Sequence, residues 1–190
     1  MNCPKTNLLD LCAAPGSKSL QASEIFKVTA NELDKRRFKI LKQRCEPFGI
    51  KCVQGDAFKL LEHIKPNQYQ ILLLDPTCSS SGTHQMDRQL ASLTEASKQS
   101  EENVAELASF QKQILGKALR EGIRANVKLI SYSTCSVNDE ENEQVVEHVL
   151  ETIDGWRLIK VLDSWQERGL RHDEVVRSSV PGDGFFVAVF

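Results

Sequence analysis

The feature that most constrains this chain is its alternation of short apolar runs with longer amphipathic stretches. Leu8, Leu9 and Leu11 form a first run that ends at Cys12, and helix-like residues follow through about Phe26. Val28–Glu32 reads as a second strand. A charged helix from about Asp34 to Glu46 follows, with Phe38, Leu41 and Cys45 at helical spacing. Pro47 and Gly49 end it. Ile50–Val53 is a third strand, a short helix spans about Phe58–Ile64, and Ile71–Leu74 is a fourth strand. A polar stretch without periodicity runs from Pro76 to about Gln99, a length that marks a functional or mobile loop. A helix from about Glu102 to Glu121, a strand over Val127–Tyr132 and a helix over Asp139–Ile153 come next. Val145, Val146 and Val149 share one face of the last of these. Arg157–Leu162 and Phe185–Phe190 read as the two final strands.

Strands alternating with helices imply an α/β fold: a mostly parallel sheet covered on both faces. The unbroken Ile71–Leu74 run suits a central strand. In such sheets ligands bind beyond the carboxyl ends of the strands. Cys12, Glu32, Asp56, Asp75 and Cys135 all fall at or just past predicted strand ends, so chemistry is expected along one edge.

At 190 residues the chain is expected to be one domain, residues 1–190. No apolar run approaches the ~18–20 residues of a membrane span, and no signal peptide is visible. The formal net charge of −2 gives no overall basic footprint for nucleic acid. Lys35, Arg36, Arg37, Lys39, Lys42 and Arg44 cluster locally, as a solvated helix face or a small basic surface.

Six cysteines occur: Cys3, Cys12, Cys45, Cys52, Cys78 and Cys135. None forms a CxxC pair or a zinc spacing with histidine, so no metal site is expected. Without a secretory signal a reducing, intracellular setting is the expectation, which disfavours disulfides. Two thiols recur in matching contexts, LLLDPTCSSSG (72–82) and LISYSTCS (129–136). Singly, a cysteine is commonly a small buried hydrophobe. A pair at two strand ends facing the expected ligand edge points instead to chemistry. Asp75 ends an apolar strand, where a carboxylate is costly to desolvate unless bonded or used.

The first strand–turn–helix, DLCAAPGSK (10–18), is rich in small residues that let a ligand approach the backbone. It is neither a P-loop nor GxGxxG, and an ordinary tight turn remains equally open. Glu32, some twenty residues on, is placed to accept ribose hydroxyls. Asp34 is placed to cap the following helix. Asp56 in GDA suits a turn as well as a ligand contact.

Taken together, DLCAAPGSKS (10–19), NELDKRR (31–37), GDA (55–57), DPTCSSSG (75–82), YSTCSVNDEEN (132–142) and DGFFVA (183–188) resemble the Sun-domain (RsmB-like) RNA cytosine-5 methyltransferases, which use S-adenosylmethionine. The serine-rich DPxCSxSG form and the EENE stretch look most like the branch acting on large-subunit ribosomal RNA. The resemblance implies a class I methyltransferase fold, a Rossmann-like, mostly parallel seven-stranded sheet whose last strand is antiparallel. It implies Cys135 as the nucleophile that adds to carbon 6 of cytosine, and Cys78 as the thiol assisting release. Asp75 would hydrogen-bond the base near ring nitrogen 3, and Lys18 would sit near the base or the nucleophile. Cys12, Ala13, Ala14, Pro15, Gly16, Ser17 and Lys18 would wrap the methionine end of the cofactor. Glu32 would take the ribose with Arg37 supporting it, Asp56 would approach the adenine, and Asp75 would border the sulfonium.

The implied partner is RNA, ribosomal in the leading reading, with its cytosine single-stranded or flipped out. The implied protein is monomeric. Its implied location is the nucleolus or nucleus in a eukaryote and the cytoplasm in a bacterium. The sequence departs from the family at Thr77 and Ser80, where Pro or Ser and then Gly are usual, and at Ser19, where Thr is usual. A left-handed backbone at Ser80 would strain that loop. Family members normally carry an RNA-binding segment before the first strand, and this chain begins almost at that strand. The alternative is a cofactor-binding relative with impaired turnover. A nicotinamide oxidoreductase is disfavoured by the missing GxGxxG.

Overall fold

A computed structural model describes residues 5–82, 96–180 and 184–190, with side chains of 96–102 left aside. The strands are β1 (Asn7–Asp10), β2 (Lys27–Glu32), β3 (Lys51–Gln54), β4 (Ile71–Leu74), β5 (Leu129–Thr134), β6 (Val176–Ser178) and β7 (Phe185–Val189). The helices are α1 (Ser17–Ser23), α2 (Lys35–Cys45), α3 (Ala57–Glu62), α4 (Ala96–Ala125) and α5 (Glu143–Thr152). The sheet order is β3-β2-β1-β4-β5-β7-β6. Two compact units are defined, Met1–Asp75 with Lys117–Ser131, and Pro76–Gly116 with Tyr132–Phe190.

In the first unit, β1 pairs in parallel with β2 and with β4, and β2 pairs in parallel with β3. Leu8 and Leu9 are almost fully buried although they point to opposite faces, as a strand covered on both sides requires. Asp34 caps α2 by accepting from the Arg37 N–H at 2.8 Å, as the sequence suggests. Leu41 and Cys45, four residues apart, bury the inner face of α2 against Leu8, Val28, Ala30 and Ile50. Lys42 and Arg44 favour the negative end of the helix dipole. A 3-10 turn over Glu46–Phe48 and Gly49, at φ 74°, then redirect the chain into β3.

In the second unit, β6 and β7 pair antiparallel, with Arg177 opposite Phe186. The Tyr132 and Phe186 rings meet edge to face at 6.2 Å. Val145, Val146 and Val149 are buried along α5, as their spacing predicts.

Two expectations are corrected. Arg157–Leu162 is not a strand: Ile159 N–H donates to the Val189 carbonyl, but most of the segment is exposed and Leu162 has φ 50°. The sixth strand is Val176–Ser178, whose three side chains are all buried. Its arginine disguised it, because Arg177 is buried by pairing with Glu143 at 2.8 Å, with Glu167 at 3.9 Å. The helix expected to begin near Glu102 begins at Ala96 instead. The rest of the loop expected over Pro76–Gln99, along with Cys3 and Asp183, falls largely outside the described residues.

Candidate active site

The parallel pairing of β1 to β4 places their carboxyl ends on one edge of the first unit. Glu32 ends β2, Asp75 directly follows β4, and Cys12 and Asp56 come two residues after β1 and β3. Gly16, at φ 101°, turns the chain into α1, and a Cβ there would stand 2.5 Å from the Cys45 sulfur. The glycine of CAAPG is therefore fixed by both conformation and close packing. Arg37 donates to the Ala14 carbonyl at 2.7 Å and lies 3.7 Å from the Glu32 carboxylate, linking the turn to the end of β2. Glu32 accepts from the Asp34 N–H at 3.0 Å. Asp56 caps α3 through the Phe58 N–H at 2.8 Å, where the sequence offered a turn or a ligand contact. Lys18 Nζ donates to Asp75 Oδ2 at 2.6 Å, so these two motif residues come together.

Burial pushes the Cys12 thiol up to about 12, reinforced by the charges of Asp10, Glu32 and Asp75. Cys12 is thus a neutral packing and lining group rather than a nucleophile. Asp10 was not singled out by the sequence. Burial raises its carboxyl to about 7 despite the hydrogen bond that Ser19 Oγ donates to it at 2.6 Å.

In the second unit Cys78 and Cys135, 57 positions apart in sequence, bring their sulfurs to 3.3 Å without a covalent bond. Both are half-buried. The contact with Cys135, then burial, drive the Cys78 thiol far above its ordinary value. Cys78 is therefore held as a neutral thiol. The Cys135 thiol also lies 3.5 Å from Ser80 Oγ, and Ser80 holds φ 54°, the left-handed conformation that its departure from glycine made costly.

The loops carrying the two thiols are joined by side chains. Ser81 Oγ lies 2.8 Å from Ser136 Oγ and accepts from the Val137 N–H at 2.9 Å. Gly82 N–H donates to the Cys135 carbonyl at 2.9 Å, and Gly184 N–H donates to the Gly82 carbonyl at 3.0 Å. Glu141 is fully buried and accepts from both loops. Sequence reading passed over it as part of the EENE stretch. The available signal was a carboxylate inside a run that otherwise begins a helix.

These features find their counterpart among known proteins. A family model described as 16S rRNA methyltransferase RsmB/F matches residues 3–190. The chain belongs to the RsmB/F family. Among its relatives is a 28S rRNA (cytosine-C(5))-methyltransferase of Mus musculus, 34% identical over 98% of this chain and 42% of that protein. Another is the 25S rRNA (cytosine-C(5))-methyltransferase NSUN5 of Arabidopsis thaliana, 34% identical over 96% of the chain and 35% of its own length. The chain thus spans less than half of these two relatives. Among solved structures, PH0851 aligns with 98% of the chain and 42% of its own, at TM-score 0.79 and 28% identity. NSun6 from Pyrococcus horikoshii with SFG aligns with 96% of the chain and 46% of its own, at TM-score 0.71 and 22% identity. The RsmB/F chain has the class I methyltransferase fold, a seven-stranded mixed sheet with its last strands antiparallel.

Proposed function

We propose that this RsmB/F chain is the catalytic part of an S-adenosylmethionine-dependent cytosine-5 methyltransferase acting on ribosomal RNA through a covalent adduct. The observation carrying the proposal is the thiol pair: two cysteines at 3.3 Å on two motif loops. The curated relatives are named for this reaction, and NSun6 was solved with SFG, an S-adenosylmethionine analogue.

The residues present fit that cofactor. Glu32 is a buried carboxylate at a strand end with acceptor capacity beyond its bond from Asp34, as a pair of ribose hydroxyls needs. Arg37 steadies it, the Cys12–Lys18 turn would hold the methionine end, and Asp56 would border the adenine. When bound, S-adenosylmethionine supplies an electrophilic methyl group.

The chain's own residues account for the remaining chemistry. Carbon 5 of cytosine is a poor nucleophile. The Cys135 thiolate forms a bond to carbon 6, driving the 5,6 electron pair onto carbon 5, where the methyl is received. Release needs the carbon 5 proton to pass to a base, the Cys78 side chain once its own proton has gone to solvent. The pair then re-forms the 5,6 double bond, and the sulfur–carbon bond breaks to return the thiolate. Cys78 assists that release. Contact with Cys135 raises the Cys78 thiol; once Cys135 is bound to carbon it can no longer act as a thiolate neighbour, and the Cys78 proton becomes easier to move. Lys18 orients Asp75, which would hydrogen-bond the base edge. The target cytosine must be single-stranded or flipped out, because a stacked base cannot present carbon 6 to a thiol.

The strained backbone of Ser80 favours a second reading, a relative that binds the cofactor but turns over poorly. Calorimetry with S-adenosylmethionine beside an NAD control, followed by methyl transfer to ribosomal RNA, separates the two. Selective binding with transfer supports the proposal. Binding without transfer supports the second reading. No binding by a folded chain contradicts both.

A further inference from the structure

We infer that Glu141 is a positioning residue for the thiol pair: its buried carboxylate ties the Cys78 loop to the Cys135 loop and so sets the distance between the two sulfurs. The inference rests on the reading that this pair carries the chemistry.

Glu141 is 0% exposed. Its Oε1 accepts from the Ser79 N–H at 2.8 Å and from Gln111 Nε2 at 3.1 Å. Its Oε2 accepts from Ser79 Oγ at 2.5 Å, Ser136 Oγ at 2.6 Å and Asn138 Nδ2 at 3.1 Å. Ser79 directly follows Cys78 and Ser136 directly follows Cys135, so one carboxylate grips the neighbour of each thiol. Gln111 adds a bond to the Thr77 carbonyl at 3.0 Å, holding the Cys78 loop from its other side.

Proton counting fixes the direction of the network. A hydroxyl has one proton. Ser136 gives its proton to Glu141 while accepting from the Asn138 N–H at 3.0 Å, so Ser81 must donate to Ser136. The chain of donors runs inward and ends on an acceptor that has no proton to give. Burial pushes the Glu141 carboxyl up, but the bonds from Ser136, Ser79 and Gln111 outweigh burial and hold it below the ordinary range.

The neighbouring buried carboxylate is a useful contrast. Glu143 is paired with Arg177 and accepts from the Leu170 N–H, an ordinary structural ion pair. Among the described residues Glu141 makes no ion pair, and five neutral donors satisfy it. An anion buried without a counter-ion costs free energy that a packed apolar side chain would not. Its return is geometric, since all five donors belong to the loops and helix around the thiols. A glutamine could not replace it, because its single oxygen cannot serve donors gathered on both carboxylate oxygens.

The test uses the full chain and diamide, which oxidises two nearby thiols to a disulfide and takes up their protons and electrons. Closure of Cys78 with Cys135 is followed by peptide mapping and does not depend on methyl transfer. Alkylation of Cys52 serves as the internal control. Glu141→Gln is expected to slow closure roughly tenfold with Cys52 unchanged. In an active preparation kcat should fall while KM for RNA holds. A folded Glu141→Gln variant that closes at the wild-type rate overturns the inference. If that variant fails to fold, Ser79→Ala and Ser136→Ala decide: slower closure in both supports the inference, and wild-type closure in both overturns it. Loss of closure control with no methyl transfer by the wild-type chain would leave Glu141 as the positioning residue and refute only the proposed activity.

Discussion

Two residues set the terms at the smallest scale. Ser80 occupies a left-handed backbone conformation that costs an L-residue about 1–2 kcal/mol. Replacing it with glycine relieves that cost, and glycine's greater freedom in the unfolded chain returns part of the gain. Ser80→Gly should therefore raise stability in urea by about 1 kcal/mol or less, while removing the hydroxyl 3.5 Å from the Cys135 sulfur. A destabilised variant would show that Ser80's bonds outweigh its strain. Asp10 carries a pH signature. Its carboxyl is raised from 3.8 to about 7, mainly by burial, so between those values the folded chain holds a proton that the unfolded chain has released. Stability therefore falls as pH rises through that window and is level above it, a change on the order of 4 kcal/mol. Asp10→Asn should lack this fall and exceed the wild type above pH 7, with the gap closing near pH 4. Denaturant midpoints across pH measure it. The strain at Ser80 was legible in the sequence as a departure from a glycine. Asp10 was not, because nothing in its immediate neighbours reports that Ser19 and the strand around it exclude water.

Glycines and apolar spacing govern the elements. Gly82 and Gly184 meet backbone to backbone: a Cβ on Gly82 would stand 2.3 Å from the Gly184 carbonyl oxygen. Neither backbone can yield as a flexible side chain would, so Gly82→Ala should lower stability by about 3 kcal/mol, read as a drop in melting temperature. Leu41, buried in the contact of α2 with the sheet, should cost about 2–5 kcal/mol when cut to alanine. The helical stripe of α2 and the Leu-rich β4 were plain in the sequence because each buries its face through its own periodicity. β6 was not. Three residues are too short for a pattern, and its arginine is explained chiefly by Glu143, 34 positions earlier. The Arg157–Leu162 run offered a better strand pattern but left its side chains largely exposed.

For the whole molecule, six motifs in order pointed to the RsmB/F family and its fold, because each lies at or near a strand end. The two cysteine motifs also marked a thiol pair. The ties between their loops were hidden, since Glu141 reaches Ser79 across 62 positions and local sequence carries no trace of such a contact. A net charge of −2 gives the chain no global basic footprint for nucleic acid. The proposed function turns on Cys135 forming the bond to RNA and Cys78 permitting its release. The most direct measurement is intact-protein mass and gel mobility of Cys78→Ala after incubation with ribosomal RNA and S-adenosylmethionine, beside Cys135→Ala and the double variant. An RNA-linked species is expected with Cys78→Ala that disappears in the double variant, with no methyl transfer by Cys135→Ala. Methylation by Cys135→Ala at the wild-type rate would contradict it.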